Sequence, residues 1–427
     1  MSRQRSPLSR LVVLSAVAFA GPAAAGEAVL NAGDTAWVLG SSALVLLMLP
    51  GLALFYAGMV RSKNALSTIL MSFVAMGVIA LQWVAFGYSF AFGGSGGPLF
   101  GGFNHVFLSG IGVDSLYGSI PTLAFATFQG MFAVITPALI SGALVERVKF
   151  GAYTLFILLW AFLVYDPLAH WVWGNGGWLL KLGALDFAGG TVVHISSGVS
   201  ALAAILVVGK RRGYPTEAFV PHNLTMTLLG AGLLWFGWFG FNAGSALAAN
   251  GTAALAFTST NAASAAGLVG WLLAEKMRFG KPSALGAASG CVAGLVAITP
   301  GAGYVTPGWA IVVGLLAGVI CFRAVCLKAK FGYDDSLDVF GVHGVGGTLG
   351  ALATGVFGTV GTGSLITGDF RQFGVQLIGV VVAIVYAFVV TYVLCRVIEA
   401  TVGFRVEPAD ELTGLDQTAH GEVGYSL

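Results

Sequence analysis

The chain is a succession of apolar runs, each close to 20 residues or longer, separated by connections that hold nearly all of its charges. Hydropathy along it places spans near residues 36–60, 66–93, 119–143, 150–172, 188–209, 223–244, 252–277, 283–301, 306–330, 336–359 and 372–398. A helix of about 20 residues rises roughly 30 Å, the thickness of the hydrocarbon core of a bilayer. A helix also satisfies its own backbone hydrogen bonds there, as lipid requires. The pattern therefore predicts an all-α polytopic membrane protein with eleven transmembrane helices. Ahead of the first span, Arg3, Arg5 and Arg10 precede the apolar run from Leu11 to Ala20 and then Ala23-Ala24-Ala25. That is the layout of a cleavable signal peptide over 1–25. A retained first helix is the competing reading, although the run is short for one. The rest divides into a transmembrane domain, 26–400, and a polar, acidic tail, 401–427.

The connections sort by charge. One side of the bundle receives Arg61, Lys63, Arg147, Lys149, Lys210, Arg211, Arg212, Lys276, Arg278, Lys281, Arg323, Lys328, Lys330, Arg396 and Arg405, and the other only Lys181 and Arg371. Basic residues mark the cytoplasmic side. The mature N-terminus is thus expected outside and the tail in the cytoplasm, which agrees with an odd number of spans.

Composition narrows the function more than the fold. With 57% hydrophobic and 9% charged residues the chain has too little polar surface for a water-soluble globule, and a net charge of +2 gives no basis for binding nucleic acid. The 63 glycines suit close helix packing in lipid. Cys291, Cys321, Cys326 and Cys395 all fall within apolar stretches, without a CxxC or a polar-loop partner. Neither a disulfide, a cysteine-bound metal nor any other cofactor is expected.

Short signatures recur in the same order in two halves, about 36–209 and 223–359, with the last helix, 372–398, outside the repeat. Phe55-Tyr56-Ala57-Gly58 is echoed by Phe241-Asn242-Ala243-Gly244, Ile135-Thr136-Pro137 by Ile298-Thr299-Pro300, and Asp186 eight residues before His194 by Asp335 eight residues before His343. Five spans followed by five more have opposite orientation, so this is an inverted repeat, an architecture that puts a transport site near the midplane. Eight helical residues rise about 12 Å, so two histidines descending from opposite faces of a roughly 30 Å core come within about 6 Å in depth. Intramembrane histidines are functional candidates by default. The pair also reads as a plain interhelical hydrogen bond or as two axial haem ligands. A zinc site lacks a third ligand.

At these residues the chain resembles the ammonium transporter family, the Amt branch of the Amt/Rh superfamily. The resemblance is carried by PGLALFYAGMVR from Pro50, FQGMFAVITPALISGALVER from Phe128, ALDFAGGTVVHIS from Ala184, WFGFNAGSA from Trp238, DVFGVHGVGG from Asp338 and GLDQTAHGEVGY from Gly414. It implies a homotrimer of eleven-helix protomers in the cell (inner) membrane, each with its own pore for ammonium uptake, and a transporter rather than an enzyme. It also implies a substrate-binding site at Trp173, Phe128 and Ser245, a gate of stacked rings at Phe132 and Phe241, and a lumen lined by Trp238, His194 and His343. Asp186 matches the family's essential acidic residue and reads as a cap that sets the local field rather than as a direct ligand. Taken alone, Trp173 is equally a membrane-belt anchor, the phenylalanines are equally packing, and Asp335 is a plain helix cap. Asp166, followed by Pro167, departs from the family's apolar residue and is expected to alter the field of the vestibule. The tail reads either as a solvated end or, by resemblance, as a packed regulatory element where a PII-type nitrogen regulatory protein docks. A neutral-gas channel and an ammonium sensor are the functional alternatives.

Overall fold

The computed structural model describes residues 29–425, so the signal peptide expected over 1–25 lies outside the described residues. Eleven long helical segments follow in order: α1 (Ala32–Met59), α2 (Ser62–Phe92), α3 (Thr122–Leu144), α4 (Phe150–Leu182), α5 (Gly190–Val208), α6 (Leu224–Gly244), α7 (Gly251–Phe279), α8 (Ala284–Gly301), α9 (Pro307–Phe331), α10 (Phe340–Phe357) and α11 (Phe370–Thr401). Two short helices close the tail, α12 (Pro408–Thr413) and α13 (Leu415–His420). A two-residue hairpin between α2 and α3 pairs Leu116–Tyr117 with Ile120–Pro121. Among the described residues ten helices are long and apolar enough to cross a membrane. The exception, α7, has the length, 29 residues. Its first half carries Thr252, Thr258, Ser259, Thr260, Asn261 and Ser264, which lower its hydropathy.

Backbones meet closely because lipid offers no hydrophobic drive to hold helices together, so contact area must. A Cβ on Gly230 of α6 would lie 2.3 Å from Phe55 N of α1, and one on Gly58 of α1 would lie 2.4 Å from Asn223 O. Another such seam, within the second half, joins α7, α8 and α9. There, Cβ atoms on Gly294 and Gly314 would each come within 2.2 Å of Ala263 O. Glycines of α8 and α9, facing Ala263, are thus what let these helices approach α7.

The end of the bundle that collects the basic residues, the basic end, is locked by ion pairs between four connections. Glu146 takes Arg61 at 2.9 Å and Arg211 at 3.3 Å, while Asp334 takes Arg147 at 2.6 Å and Arg211 at 2.9 Å. Arg147 and both carboxylates are buried. Burial works against the charge on Asp334, but hydrogen bonds from Arg211 and the charges of Arg147 and Arg211 outweigh it and hold the carboxyl at about 2. The described part of the tail packs onto this end. Asp416 accepts from Leu66 N and Ser67 N at the start of α2, and Leu415 N donates to Asn64 Oδ1 at 2.8 Å. Glu411 accepts from Arg212 N and Arg405.

Candidate functional site

Each candidate histidine sits on a π-helical turn that opens its helix, Gly190–Ile195 in α5 and Phe340–Gly344 in α10. Such single turns concentrate at functional sites. The preceding Asp holds each turn by accepting the amide hydrogens that a helix start leaves unpaired. Asp186 Oδ1 accepts from Gly189 N and Gly190 N, and Oδ2 from Thr191 N, Val192 N and the Thr191 hydroxyl. Asp335 accepts from Val339 N at 3.0 Å and Phe340 N at 2.8 Å. The residue three beyond each Asp is left-handed, Gly189 at φ 113 and Asp338 at φ 63.

The two turns cross where their chains are thinnest. A Cβ on Gly198, four residues after His194, would lie 2.1 Å from Gly344 N. One on Gly347, four residues after His343, would lie 2.9 Å from His194 Cβ and 3.0 Å from Ile195 N. Each glycine therefore packs on the residue that follows the other half's histidine, and this reciprocal contact draws the imidazoles together. His194 Nδ1 and His343 Nδ1 are 3.2 Å apart, with ring centroids at 5.3 Å. One proton fits between two such nitrogens. One imidazole then carries its hydrogen on Nδ1 and keeps Nε2 as an acceptor, while the other carries it on Nε2. His194 Nε2 is buried and has no partner within the chain.

A cavity of about 10 Å³ runs beside the pair, lined by Leu52, Ile135, Val193, Leu234, Trp238 and Phe241 among others. That is about the room one water needs. Trp238 stacks on His194 at 5.4 Å and donates to Thr299 Oγ1 at 2.9 Å. Thr299 in turn donates to Leu295 O, so the repeated Ile-Thr-Pro signature of α8 orients the Trp238 ring. In α3 the matching Thr136 donates back to Phe132 O.

Above this seam Phe132 and Phe241 pack at 4.2 Å, tilted by 33°, and both are buried. Beyond them opens a second cavity of about 630 Å³, lined by Phe125, Phe128, Phe132, Trp173, Asp186 and Ser245 among others. This is the aromatic end. Trp173 stands edge-on to Phe132 at 6.0 Å and donates to Asp186 O at 2.7 Å. The Ser245 hydroxyl donates to Phe241 O at 2.8 Å, which leaves its oxygen lone pairs free to accept. The Asp186 carboxyl is spent on α5 amides rather than aimed at the cavity.

All nine residues singled out in the sequence thus fall on one line from cavity to seam. Asp166 does not join them: it is buried beside Gln82 and lines neither cavity. Gly198 and Gly347 have no role in the sequence expectations, yet both halves read His-x-x-x-Gly, and that shared spacing is the signal for them.

Residues 36–425 match the model of the Ammonium Transporter Family. The chain belongs to that family. It is 50% identical over 401 residues to an ammonium transporter of Bacillus subtilis, covering 92% of this chain and 98% of the relative. It is 52% identical over 408 residues to a putative ammonium transporter of Methanothermobacter thermautotrophicus, covering 93% and 99%. Among solved structures, Mep2 of Candida albicans superposes with a TM-score of 0.84 at 36% identity over 89% of this chain and 88% of that one. A structure described as a sensor Amt protein superposes with a TM-score of 0.85 at 31% identity, covering 91% and 98%. Family membership and ten apolar helices make this ammonium transporter family member a multi-pass membrane protein.

Proposed function

We propose that the protein recruits NH4+ in the aromatic-end cavity, that NH4+ gives up its proton on entering the seam, either back to water in that cavity or to the His194–His343 pair, and that NH3 passes the Phe132–Phe241 gate and the histidines into the cytoplasm. The observation that carries this reading is the step in width at that gate, from about 630 Å³ to about 10 Å³ beside two touching histidines. Aromatic faces attract a desolvated cation by about 2 kcal/mol, so Phe128 and Trp173 suffice to gather ammonium where the cavity is wide. They do not suffice to carry it further. Taking a bare monovalent cation into a dry apolar seam costs up to tens of kcal/mol by Born estimates. Potassium has no way around that cost, whereas ammonium sheds a proton and crosses as a neutral molecule that hydrogen-bonds with imidazole. The seam selects by being dry rather than by being narrow.

The test is uptake and current in liposomes containing purified protein with His194→Ala, His343→Ala or both. Each single change is expected to cut or alter ammonium conduction, and the double change to add little, because residues that share one proton act as a unit. Opening the seam is also expected to admit potassium. Wild-type selective uptake in the double mutant overturns the reading. The sensor reading draws on the likeness to the solved sensor Amt protein. Purified protein that moves no ammonium while still binding it favours the sensor.

From the likeness to the family we also propose a homotrimer in the cell (inner) membrane, and from the sorting of basic residues an N-terminus outside and the basic end in the cytoplasm. A PII-type regulator would meet it at the packed tail. A cytoplasm-only reporter fused after Leu427 is expected to be active, and activity of a periplasm-only reporter there reverses the orientation.

A further inference from the structure

We propose that Asp166 carries a proton and closes a two-hydrogen-bond acid–amide pair with Gln82, which positions the stretch of α4 that ends in Trp173. Two helices with π-helical turns meet at this pair. Gln82 is the last residue before the turn Trp83–Gly87 of α2, and Asp166 is the first after the turn Ala161–Tyr165 of α4. Gln82 Nε2 donates to Asp166 Oδ2 at 2.7 Å. The other two oxygens of the same contact, Asp166 Oδ1 and Gln82 Oε1, are buried without a partner. Two acceptors cannot satisfy each other, but one proton on Oδ1 turns the carboxyl into a donor and pairs both atoms at once.

The surroundings favour that proton. Asp166 is fully buried, and no ion pair among the described residues includes it. The two π-helical turns beside the pair meet through rings: Phe86 packs edge-on against Phe162 at 5.5 Å and Trp83 against Tyr165 at 6.3 Å. The Tyr165 hydroxyl is itself unpartnered. The nearest basic group along the helix, His170, has its nitrogens on Ala91 O and Gly97 O. An ionised carboxylate in such a place within a membrane span is costly and a neutral acid is not. The contact is also built to admit the amide. A Cβ on Gly87 would lie 2.8 Å from Gln82 Oε1 and 2.9 Å from Nε2, so glycine there makes the space the carboxamide fills.

The consequence for the site is geometric. Asp166–Trp173 is one eight-residue helical stretch, with the acid at its first position and Trp173 at its last, about 10 Å away along the axis. Fixing Asp166 against α2 fixes the depth and rotation at which Trp173 enters the aromatic cavity.

The infrared spectrum of purified protein in lipid tests the proton directly. Wild type is expected to show the carbonyl stretch of a protonated carboxylic acid that Asp166→Asn removes and Gln82→Leu shifts to higher frequency. Absence of such a band, or carboxylate bands lost in Asp166→Asn, overturns the proposal. Asp166→Asn replaces the acid by a group with the same donor and acceptor, so it is expected to keep assembly and the ammonium concentration for half-maximal uptake. Asp166→Leu is expected to raise that concentration several-fold with a smaller change in maximal rate per inserted molecule. This second readout rests on the recruitment role given to Trp173, so Trp173→Leu is measured beside it. If Trp173→Leu raises the half-saturating concentration and Asp166→Leu does not, the positioning role fails. If neither does, the recruitment reading is what fails, and the infrared band still decides the acid–amide pair.

Discussion

The two Asp-to-His segments follow one plan in different surroundings. Each has an Asp that caps a π-helical turn, a left-handed residue three positions on, a histidine at eight and a glycine at twelve that packs on the opposite segment. What differs is everything outside that skeleton. Asp186 gathers four backbone amides and the Thr191 hydroxyl and borders a large aromatic cavity. Asp335 gathers two amides and lies beside Asp338 and Lys328, which are themselves paired. Burial and the nearby charge of Asp338 push the Asp335 carboxyl up to about 6. The left-handed residue is Gly189 in the first segment, where a Cβ would meet Val193 Cγ2 at 2.5 Å, and Asp338 in the second, where there is room for a side chain that binds Lys328. The repeated part sets where the histidines meet. The unrepeated part makes the two ends chemically unequal, and on the proposed reading that inequality gives the path an entrance and an exit.

Breaking the two caps separates these contributions most strongly. Asp186→Ala strands four amide donors and a hydroxyl, each costing about 1–3 kcal/mol when buried unpaired, so it is expected to abolish uptake and lower the yield of folded protein. Asp335→Ala strands two and is expected to leave folded protein with reduced uptake. The measurement is size-exclusion yield together with uptake per inserted molecule. Equal damage from the two changes erases the distinction between the ends.

The crossing itself is symmetric, so substitutions there are expected to act alike. Gly198→Ala and Gly347→Ala each push a methyl into the opposing segment, against Gly344 N at 2.1 Å or His194 Cβ at 2.9 Å. Overpacking of this kind costs about 1–3 kcal/mol. Both variants are expected to insert but to conduct poorly and lose selectivity, with Gly198→Ala worse because it meets backbone. Normal conduction in Gly198→Ala denies the crossing its role in seating the histidines.

Much of this was legible in the sequence because lipid leaves few alternatives. A run of 20 apolar residues has one backbone solution there, so each expected span falls on a long helix, ten of them long and apolar enough to cross a membrane. Most ends differ by a few residues, and α4 runs ten further, to Leu182; the first helix begins at Ala32 rather than 36, because Asn31 caps it by accepting from Asp34 N. The histidine encounter followed from equal spacing in two inverted halves. The path is not eight helical residues, however: the turns open only at Gly190 and Phe340, four and five residues past each Asp, and the crossing at Gly198 and Gly347 brings the Nδ1 atoms to 3.2 Å. Contacts between distant stretches that no repeated signature relates were not legible. Arg61, Arg147 and Arg211 counted as cytoplasmic charges, but nothing local in the chain pairs them with Glu146 and Asp334. Asp166 read as a vestibule charge because its partner, Gln82, lies 84 residues away. The π-helical turns have no pattern of their own in the sequence.

The smallest expected effect is the one that tests whether the aromatic end has a chemistry the basic end lacks. Trp173 is half-buried, donates to Asp186 O and faces Phe132. Leu in its place keeps apolar bulk but loses the ring quadrupole and the indole N–H. A cation–π contact is worth about 0.5–2 kcal/mol, and a factor of ten corresponds to about 1.4 kcal/mol. Trp173→Leu is therefore expected to raise the half-saturating ammonium concentration by about two- to thirty-fold while the maximal rate per inserted molecule changes less. The seam below is untouched, so potassium should remain excluded. Trp173→Phe separates the two losses, since it keeps a ring face and removes only the donor. If cation attraction dominates, Phe restores most of the affinity. If the bond to Asp186 O dominates, by holding the start of α5, Phe behaves like Leu and the maximal rate falls as well. A Trp173→Leu protein that inserts poorly yet transports normally per molecule makes Trp173 a belt anchor, and the aromatic end then owes no cation attraction to that ring.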